Sequence, residues 1–301
     1  MKRTNINNCK RVGNKIDNII GQCEGSGIAV SYNCVESDII PGEYVCIDPG
    51  DGSGNFESIQ ACTDSGCEFE PLTIHGMALW LHAKEDDIVV YPPPFISKWK
   101  DKRYLNPVEF VSLGLGDDTY PSWNGTTEWV TFDGEDYMQT SDTINLDTET
   151  DLGWCIAVTT YMEDWDDTEV IIGDKDSNNN LIKFNTATTV HLKLYNPTLA
   201  TASTKGVTID TPATLVNGTP YVFIINMDPT TNDAALWIDG EKQIDGFTFP
   251  DGYDFHELDE IGAKNSGQLG ISGGIKEIIV YKGKLTDTQV GQLTFYMHSQ
   301  L

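Results

Sequence analysis

Three acidic residues stand close together in Glu257-Leu258-Asp259-Glu260. Two carboxylates on one strand face can act as the nucleophile and acid of a glycosidase, provided they converge on a cleft about 5 Å apart. Side chains alternate along a strand, so Glu257 and Asp259 share a face, the next position on it is Ile261, and Glu260 points the other way. The spacing speaks for an acidic strand edge, and no catalytic residue is assigned. A second acidic run, Asp174-Lys175-Asp176-Ser177-Asn178-Asn179-Asn180, offers oxygens at alternating positions (Asp174, Asp176, Asn178), as calcium loops do. An EF-hand would need glycine sixth and glutamate twelfth, where this chain has Asn179 and Asn185. A turn between two strands accounts for the same residues, and Ca2+ is the only cofactor the sequence suggests.

Sugar recognition calls for exposed aromatic rings beside polar groups. Trp123, next to Asn124-Gly125, and Trp165, within Glu163-Asp164-Trp165-Asp166-Asp167, fit that description as loop residues. Trp80, Trp129, Trp154 and Trp237 lie in apolar runs and supply core instead. Asn124-Gly125-Thr126 and Asn217-Gly218-Thr219 match a glycosylation pattern, but turns explain them as well. The five histidines, His75, His82, His191, His256 and His298, show no metal spacing. Cys155, between Trp154 and Ile156, reads as a small buried hydrophobe.

These groups belong to a chain of 301 residues with 19 basic and 46 acidic side chains, a net charge of −27. Such a field repels phosphate backbones and anionic membrane surfaces, so neither nucleic acid nor membrane is an expected partner. No run approaches the roughly 20 apolar residues of a membrane span. The first twenty residues lack the apolar stretch of a secretory signal. The first fifteen carry Lys2, Arg3, Lys10, Arg11 and Lys15 and no acid. They read either as a solvated terminus or as a basic arm docking on an acidic neighbour, such as another copy of this chain.

Six of the seven cysteines, Cys9, Cys23, Cys34, Cys46, Cys62 and Cys67, fall before residue 70. Zinc wants paired ligands at short spacing with a second pair, and only Cys62 and Cys67 are close, so disulfides are favoured. Their connectivity stays open, and in a cytosolic setting they would be free thiols. Residues 1–70 therefore read as a cysteine-rich attachment segment and residues 71–301 as the main domain.

The elements that must position the candidate groups are strands. Tyr221-Val222-Phe223-Ile224-Ile225, apolar on both alternating faces, suits a strand covered on both sides. Ala234-Ala235-Leu236-Trp237-Ile238 follows, and Asp239-Gly240 suits the primed turn of a hairpin, so three antiparallel segments fall within Thr219 to Gln243. Asn217-Gly218 reverses the chain just upstream. Further strands are expected at 78–83, 128–134, 154–161, 169–172, 181–184, 190–195, 207–209, 257–261 and 275–281. Between the first two lies a long irregular passage containing Pro92-Pro93-Pro94. At the C-terminus Thr286 and Gln289 form a capping box, Leu285 and Val290 a hydrophobic staple, and Val290, Leu293 and Met297 recur at helical spacing. The fold expected is all-β: a two-sheet antiparallel jelly roll closed by one short helix.

The runs Ala78-Leu79-Trp80-Leu81-His82-Ala83, Trp99-Lys100-Asp101-Lys102 and Val130-Thr131-Phe132-Asp133-Gly134 resemble the opening of laminin-G-like domains of the concanavalin A-like lectin and glucanase group. Tyr221 to Gly240, Gly274 to Tyr281 and Leu285-Thr286-Asp287 are similar to that group's closing strands and helix. The resemblance covers about residues 72 to 301. It implies a jelly roll and no single activity, because the group includes sugar binders, glycosidases and structural modules. Such domains are frequently attached to structural proteins of tailed bacteriophages and to bacterial surface proteins. With the acidic surface and the cysteine-rich start, the expectation is a non-enzymatic virion protein, a surface or decoration component. Its expected partners are other virion proteins, copies of itself as a homo-oligomer, and a host-surface glycan. The alternative is a carbohydrate-binding module of a bacterial surface or secreted protein.

Overall fold

Short runs of β-branched and aromatic residues build nearly all of the structure, a computed structural model that describes residues 33–36, 44–47 and 71–301 except 72–73, 75, 91–93, 104–106, 113–119, 147–152, 166–168, 188, 197–202, 211–213, 229, 232, 249–255 and 265. The chain divides into two units, Met1–His75 and Gly76–Leu301. In the first, strands β1 (Asn33–Glu36) and β2 (Tyr44–Ile47) pair antiparallel, with Cys34 opposite Cys46 in the backbone register. The basic arm and Cys9, Cys23, Cys62 and Cys67 lie outside the described residues.

The second unit is a sandwich of two antiparallel sheets. Its strands are β3 (Met77–His82), β4 (Ile88–Val90), β5 (Ile96–Lys100), β6 (Glu109–Ser112), β7 (Ser122–Asn124), β8 (Trp129–Asp133), β9 (Met138–Leu146), β10 (Trp154–Met162) and β11 (Glu169–Asp174). There follow β12 (Ser177–Thr186), β13 (Thr189–Asn196), β14 (Ser203–Asp210), β15 (Tyr221–Asp228), β16 (Asp233–Ile238), β17 (Glu241–Thr248), β18 (His256–Ile261) and β19 (Ser272–Tyr281). One sheet has eight strands in the order β17-β16-β15-β10-β19-β8-β7, with β3 also pairing with β19. The other has nine, β14-β13-β12-β11-β18-β9-β6-β5-β4.

The expected run of three antiparallel segments is β15, β16 and β17, joined at Asp239-Gly240 where both residues have positive φ, 51° and 82°. That is the geometry a primed hairpin turn demands. The passage before Trp129 departs from expectation. Four short strands, β4 to β7, occupy much of it, because Ile88, Ile96, Trp99 and Phe110 are needed in the core and only Pro94 of the three prolines falls within the description, in a turn.

Between the sheets pack Ile156, Val158, Phe223, Ile225 and Leu236 from one side and Ile182, Phe184, Val190 and Leu192 from the other, each no more than 4% exposed. The outer face of the eight-stranded sheet is also buried: Cys155, Ala157, Val222, Ile224, Ile279 and Tyr281 are at 0%. The C-terminal helix, Asp287–Ser299, buries Val290, Leu293, Tyr296 and Met297 and packs against β15. Its N-terminus carries the full capping box, the Thr286 side chain accepting from the Gln289 N–H and the Gln289 side chain accepting in return. Just ahead of it, Asn226 clamps Leu285, donating to its carbonyl at 2.7 Å and accepting from its N–H at 2.9 Å. Burial pushes the Cys155 thiol far up, so it stays protonated and inert.

Under this helix runs a polar ladder. Thr159, Glu277 and His82 are direct partners across β10, β19 and β3, all at most 1% exposed. Glu277 Oε1 accepts from the Trp80 indole N–H at 2.7 Å and from the Tyr296 hydroxyl at 3.1 Å. Burial pushes the Glu277 carboxyl up to about 7, the Trp80 and Tyr296 hydrogen bonds only partly opposing it. Burial, aided by Lys84, Lys102 and Lys276, pushes His82 down to about 3. Although the two approach to 3.8 Å, no pH charges both, so the pair is not an ion pair.

Candidate functional site: the open face of the nine-stranded sheet

With one outer face capped by the helix, the other sheet presents the face on which a ligand can lie. Alternation decides which side chains reach it. On β12, Ile182 and Phe184 point into the core and Lys183 points out; on β13, Val190 and Leu192 point in, so His191 and Lys193 point out. On β18 both Leu258 and Ile261 are core residues with two positions between them, and the ladder to β9 shifts between Leu258 and Glu260. That irregularity is a bulge, and it puts all three acids off the sandwich core, Glu257 partly exposed and Asp259 and Glu260 buried at 3% and 0%. The expectation that Glu260 faces away is therefore corrected.

The acidic end of the face gathers around the Lys175-Asp176 turn joining β11 and β12. Oxygens of Asp174, Asp176 and Asp259 lie within 4.8 Å of one another. Lys175 ties them together: its N–H donates to Asp259 Oδ1 at 2.8 Å, and its ammonium sits 3.3 Å from Asp259 Oδ2 and donates to the Thr140 carbonyl at 2.9 Å. Asp176 N–H donates to Asp174 Oδ1 at 2.8 Å, and the Thr143 hydroxyl donates to Asp259 Oδ2 at 3.0 Å. Oxygen-only donors suit a hard cation such as Ca2+. Here, however, the Lys175 ammonium already supplies the positive charge. Asp174 and Asp176 meet as expected, but Asp259 is the third member of the group; the Asn178 side chain lies outside the described residues.

Neighbouring carboxyls are held in the protonated direction. Glu257 is raised by burial, then by the charges of Asp174 and Asp259. Glu260 is raised by burial, although it accepts from the N–H groups of Ser266 at 3.0 Å and Gly267 at 2.8 Å and from the Gln139 amide at 3.3 Å.

The basic end lies two to three strands away. Lys183 is paired with His191, and Lys193, the next outward residue on β13, is paired with Leu181. Leu181 in turn pairs with Gly173 on β11, and a Cβ on Gly173 would stand 2.7 Å from that of Lys264 and 2.5 Å from the Ala263 carbonyl oxygen. Glycine at 173 thus lets Lys264 lie over the strand, where a backbone bridge to Gln268 fixes it. Lys193 is lowered by burial, and the other three groups feel its charge. Lys183 is lowered by burial and then by Lys193, Lys264 by burial and then by Lys193 and Lys183, and His191 to about 4 by burial and then by both strand lysines. These residues were missed in the sequence because no motif marks them, though the alternation of Lys183 with Ile182 and Phe184 is a legible signal.

Neither candidate tryptophan forms a platform. Trp165 is 0% exposed, its ring edge-on to Phe184 at 4.6 Å and its indole N–H donating to the Val216 carbonyl at 3.0 Å. Acidic neighbours gave it a loop-like context, but the ring fills the sandwich core. Trp123 lies on strand β7, half-buried; its indole N–H donates to the Ala83 carbonyl at 2.9 Å and Gly125 stands close against its ring.

No family model and no curated protein matches the sequence. Among solved structures, the chain is similar to Trypanosoma rangeli sialidase in complex with 2,3-difluorosialic acid, at 12% identity and a TM-score of 0.50, covering 79% of this chain and 36% of the sialidase. It is also similar to the CBM40 domain of Ruminococcus gnavus IT-sialidase bound to α2,3-sialyllactose, at 14% identity and a TM-score of 0.39 over 55% of this chain and 96% of that one. A third is domain 4 of a GH43 extracellular arabinanase from Geobacillus stearothermophilus in complex with arabinotriose, at 14% identity and a TM-score of 0.42 over 73% and 98%. The chain spans about a third of the sialidase's length. At these identities the likeness speaks to the β-sandwich fold alone.

Proposed function

We propose that the sandwich is a non-catalytic saccharide-binding module whose recognition surface is the open face of the nine-stranded sheet. The observation that carries this reading is the contrast between the two outer faces. One is sealed by the C-terminal helix, while the other leaves Lys183, His191, Lys193 and Glu257 partly exposed on its strands. Sugars are recognised by hydrogen bonds to hydroxyls from charged and amide side chains held in fixed positions, and a strand face supplies such positions. The acids are engaged by the protein itself: Asp259 by Lys175 and Thr143, Glu260 by two backbone N–H groups and Gln139. Buried and engaged in this way, Asp259 and Glu260 hold the fold together, which speaks against a role as nucleophile and acid.

The sequence reading of residues 1–70 as an attachment segment makes a copy-rich surface, such as a virion, the setting we propose. There, many weak sites gain effective concentration. The test is a glycan array probed with the full chain, followed by amide hydrogen exchange with the best ligand. Protection on β12, β13 and β18, with no sugar released, is expected. Protection confined to the helix-covered sheet, or hydrolysis of the ligand, would overturn the reading.

A further inference from the structure

Resting on the reading of this face as a saccharide site, we infer that its ligand is an acidic saccharide, with a carboxylate seated among Lys183, Lys193 and Lys264 beside His191. Charge is the first argument. The chain carries −27 overall, yet two lysines and a histidine occupy adjacent outward positions of one strand pair and a third lysine is laid over the next strand. Gathering like charges on half-buried positions is unfavourable by itself: burial holds all four groups toward their neutral forms, and neighbouring lysines add to it at Lys183, His191 and Lys264. An anion placed among them reverses that penalty.

Geometry is the second argument. Lys183 and Lys193 are diagonal neighbours on two rigid strands, and Lys264 is pinned above Gly173. Three ammonium groups, each a compact point charge with rotatable donors, suit a carboxylate approached from several sides. His191, kept neutral down to about 4, offers a hydrogen bond without adding charge at physiological pH.

The surroundings select the class of anion. A phosphate polymer would extend many charges into the field of the whole chain and be repelled. A saccharide carrying sparse carboxylates feels only what lies within a Debye length of about 8 Å, where the patch dominates. The rest of the ligand has a place as well. Register aligns Lys193, Leu181, Gly173 and Glu260 across four adjacent strands, so β13 and β18 lie about 14 Å apart at roughly 4.8 Å per step. A ligand with its carboxylate at the basic end would lay its hydroxyls toward the partly exposed Glu257 and the exposed Asp176, which can accept hydrogen bonds.

The experiment is calorimetric titration of the full chain with hyaluronan oligosaccharides, which carry one carboxylate per disaccharide, and, in parallel, with neutral dextran oligosaccharides, at 50 and 500 mM NaCl. The variants are Lys183→Glu and Lys193→Glu, with Lys193→Gln as a milder change that keeps the aliphatic stem. We expect binding of the acidic oligomer, weakened about tenfold by salt and about tenfold by each charge reversal in variants with native melting temperatures, and less by Lys193→Gln. Neutral sugars binding as tightly as acidic ones, insensitive to salt and to these variants, would overturn the acidic ligand and leave the saccharide module standing. No binding of any saccharide would remove both. Sedimentation in which the native chain self-associates and Lys193→Glu abolishes it would assign the patch to a second acidic copy instead.

Discussion

Replacing Glu277 by glutamine should stabilise the sandwich at pH 8 and destabilise it by about 1 kcal/mol at pH 4. The Glu277 carboxyl is 1% exposed and is pushed by burial from an ordinary 4.5 to about 7. A group whose folded pKa is raised binds more protons folded than unfolded between those two values, so its contribution to stability falls as pH rises from 4.5 to 7 and stays low above. At about 1.4 kcal/mol per pH unit, the charged carboxylate costs roughly 3 kcal/mol at pH 8. Glutamine keeps an acceptor for the Trp80 indole and Tyr296 hydroxyl and adds an amide that can donate to the orphaned Thr159 hydroxyl or to His82. Allowing about 1 kcal/mol for imperfect replacement, the net gain is about 2 kcal/mol, or roughly 4–8 °C for a domain of this size. His82, lowered to about 3, has the opposite slope, adding stability as pH rises from 3 to 6.5, but it is common to both proteins and cancels in the difference. The assay is urea unfolding by tryptophan fluorescence at pH 4, 6 and 8. A difference that does not change with pH, or a Glu277→Gln protein that is less stable at pH 8, would refute the reasoning.

Three further outcomes are expected. Thr286→Ala removes the acceptor of the capping box, and melting followed by circular dichroism should fall by about 1 kcal/mol in stability, or roughly 2–4 °C. Gly173→Ala sets a methyl 2.5 Å from the Ala263 carbonyl oxygen and 2.7 Å from the Lys264 Cβ; stability should drop by about 1–3 kcal/mol and acidic saccharides should bind more weakly as Lys264 is displaced. Because Lys175 supplies the positive charge among Asp174, Asp176 and Asp259, neither EDTA nor millimolar CaCl2 should move the melting temperature of the native chain. Lys175→Met should melt lower and recover in part with Ca2+; a calcium response in the native chain would show that lysine does not fill the site.

Local chemistry is what the sequence discloses. The turn at Asp239-Gly240, the capping box at Thr286 and Gln289, and the two-residue period of β10, β15 and β19 each depend on neighbours a few positions away, and each stands where the residues predict it. What escapes is anything decided across the fold. Between Leu258 and Glu260 the ladder skips on β9 from Ile144 to Gln139, and strict alternation has no means of registering that break in pairing, which leaves both Asp259 and Glu260 off the core. Trp165 sits among acids yet is drawn inward because closing the sandwich requires a large ring against Phe184 and Phe223, a demand written in residues 19 and 58 positions away. The basic patch is hidden for a different reason. Net charge is a far-field quantity, and −27 describes what an approaching polymer meets at a distance. A ligand already on the sheet is screened from most of that charge and answers to Lys183, Lys193 and Lys264. The same sequence can therefore repel nucleic acid as a whole and still attract a carboxylate at one place, provided the strands bring distant lysines onto one face.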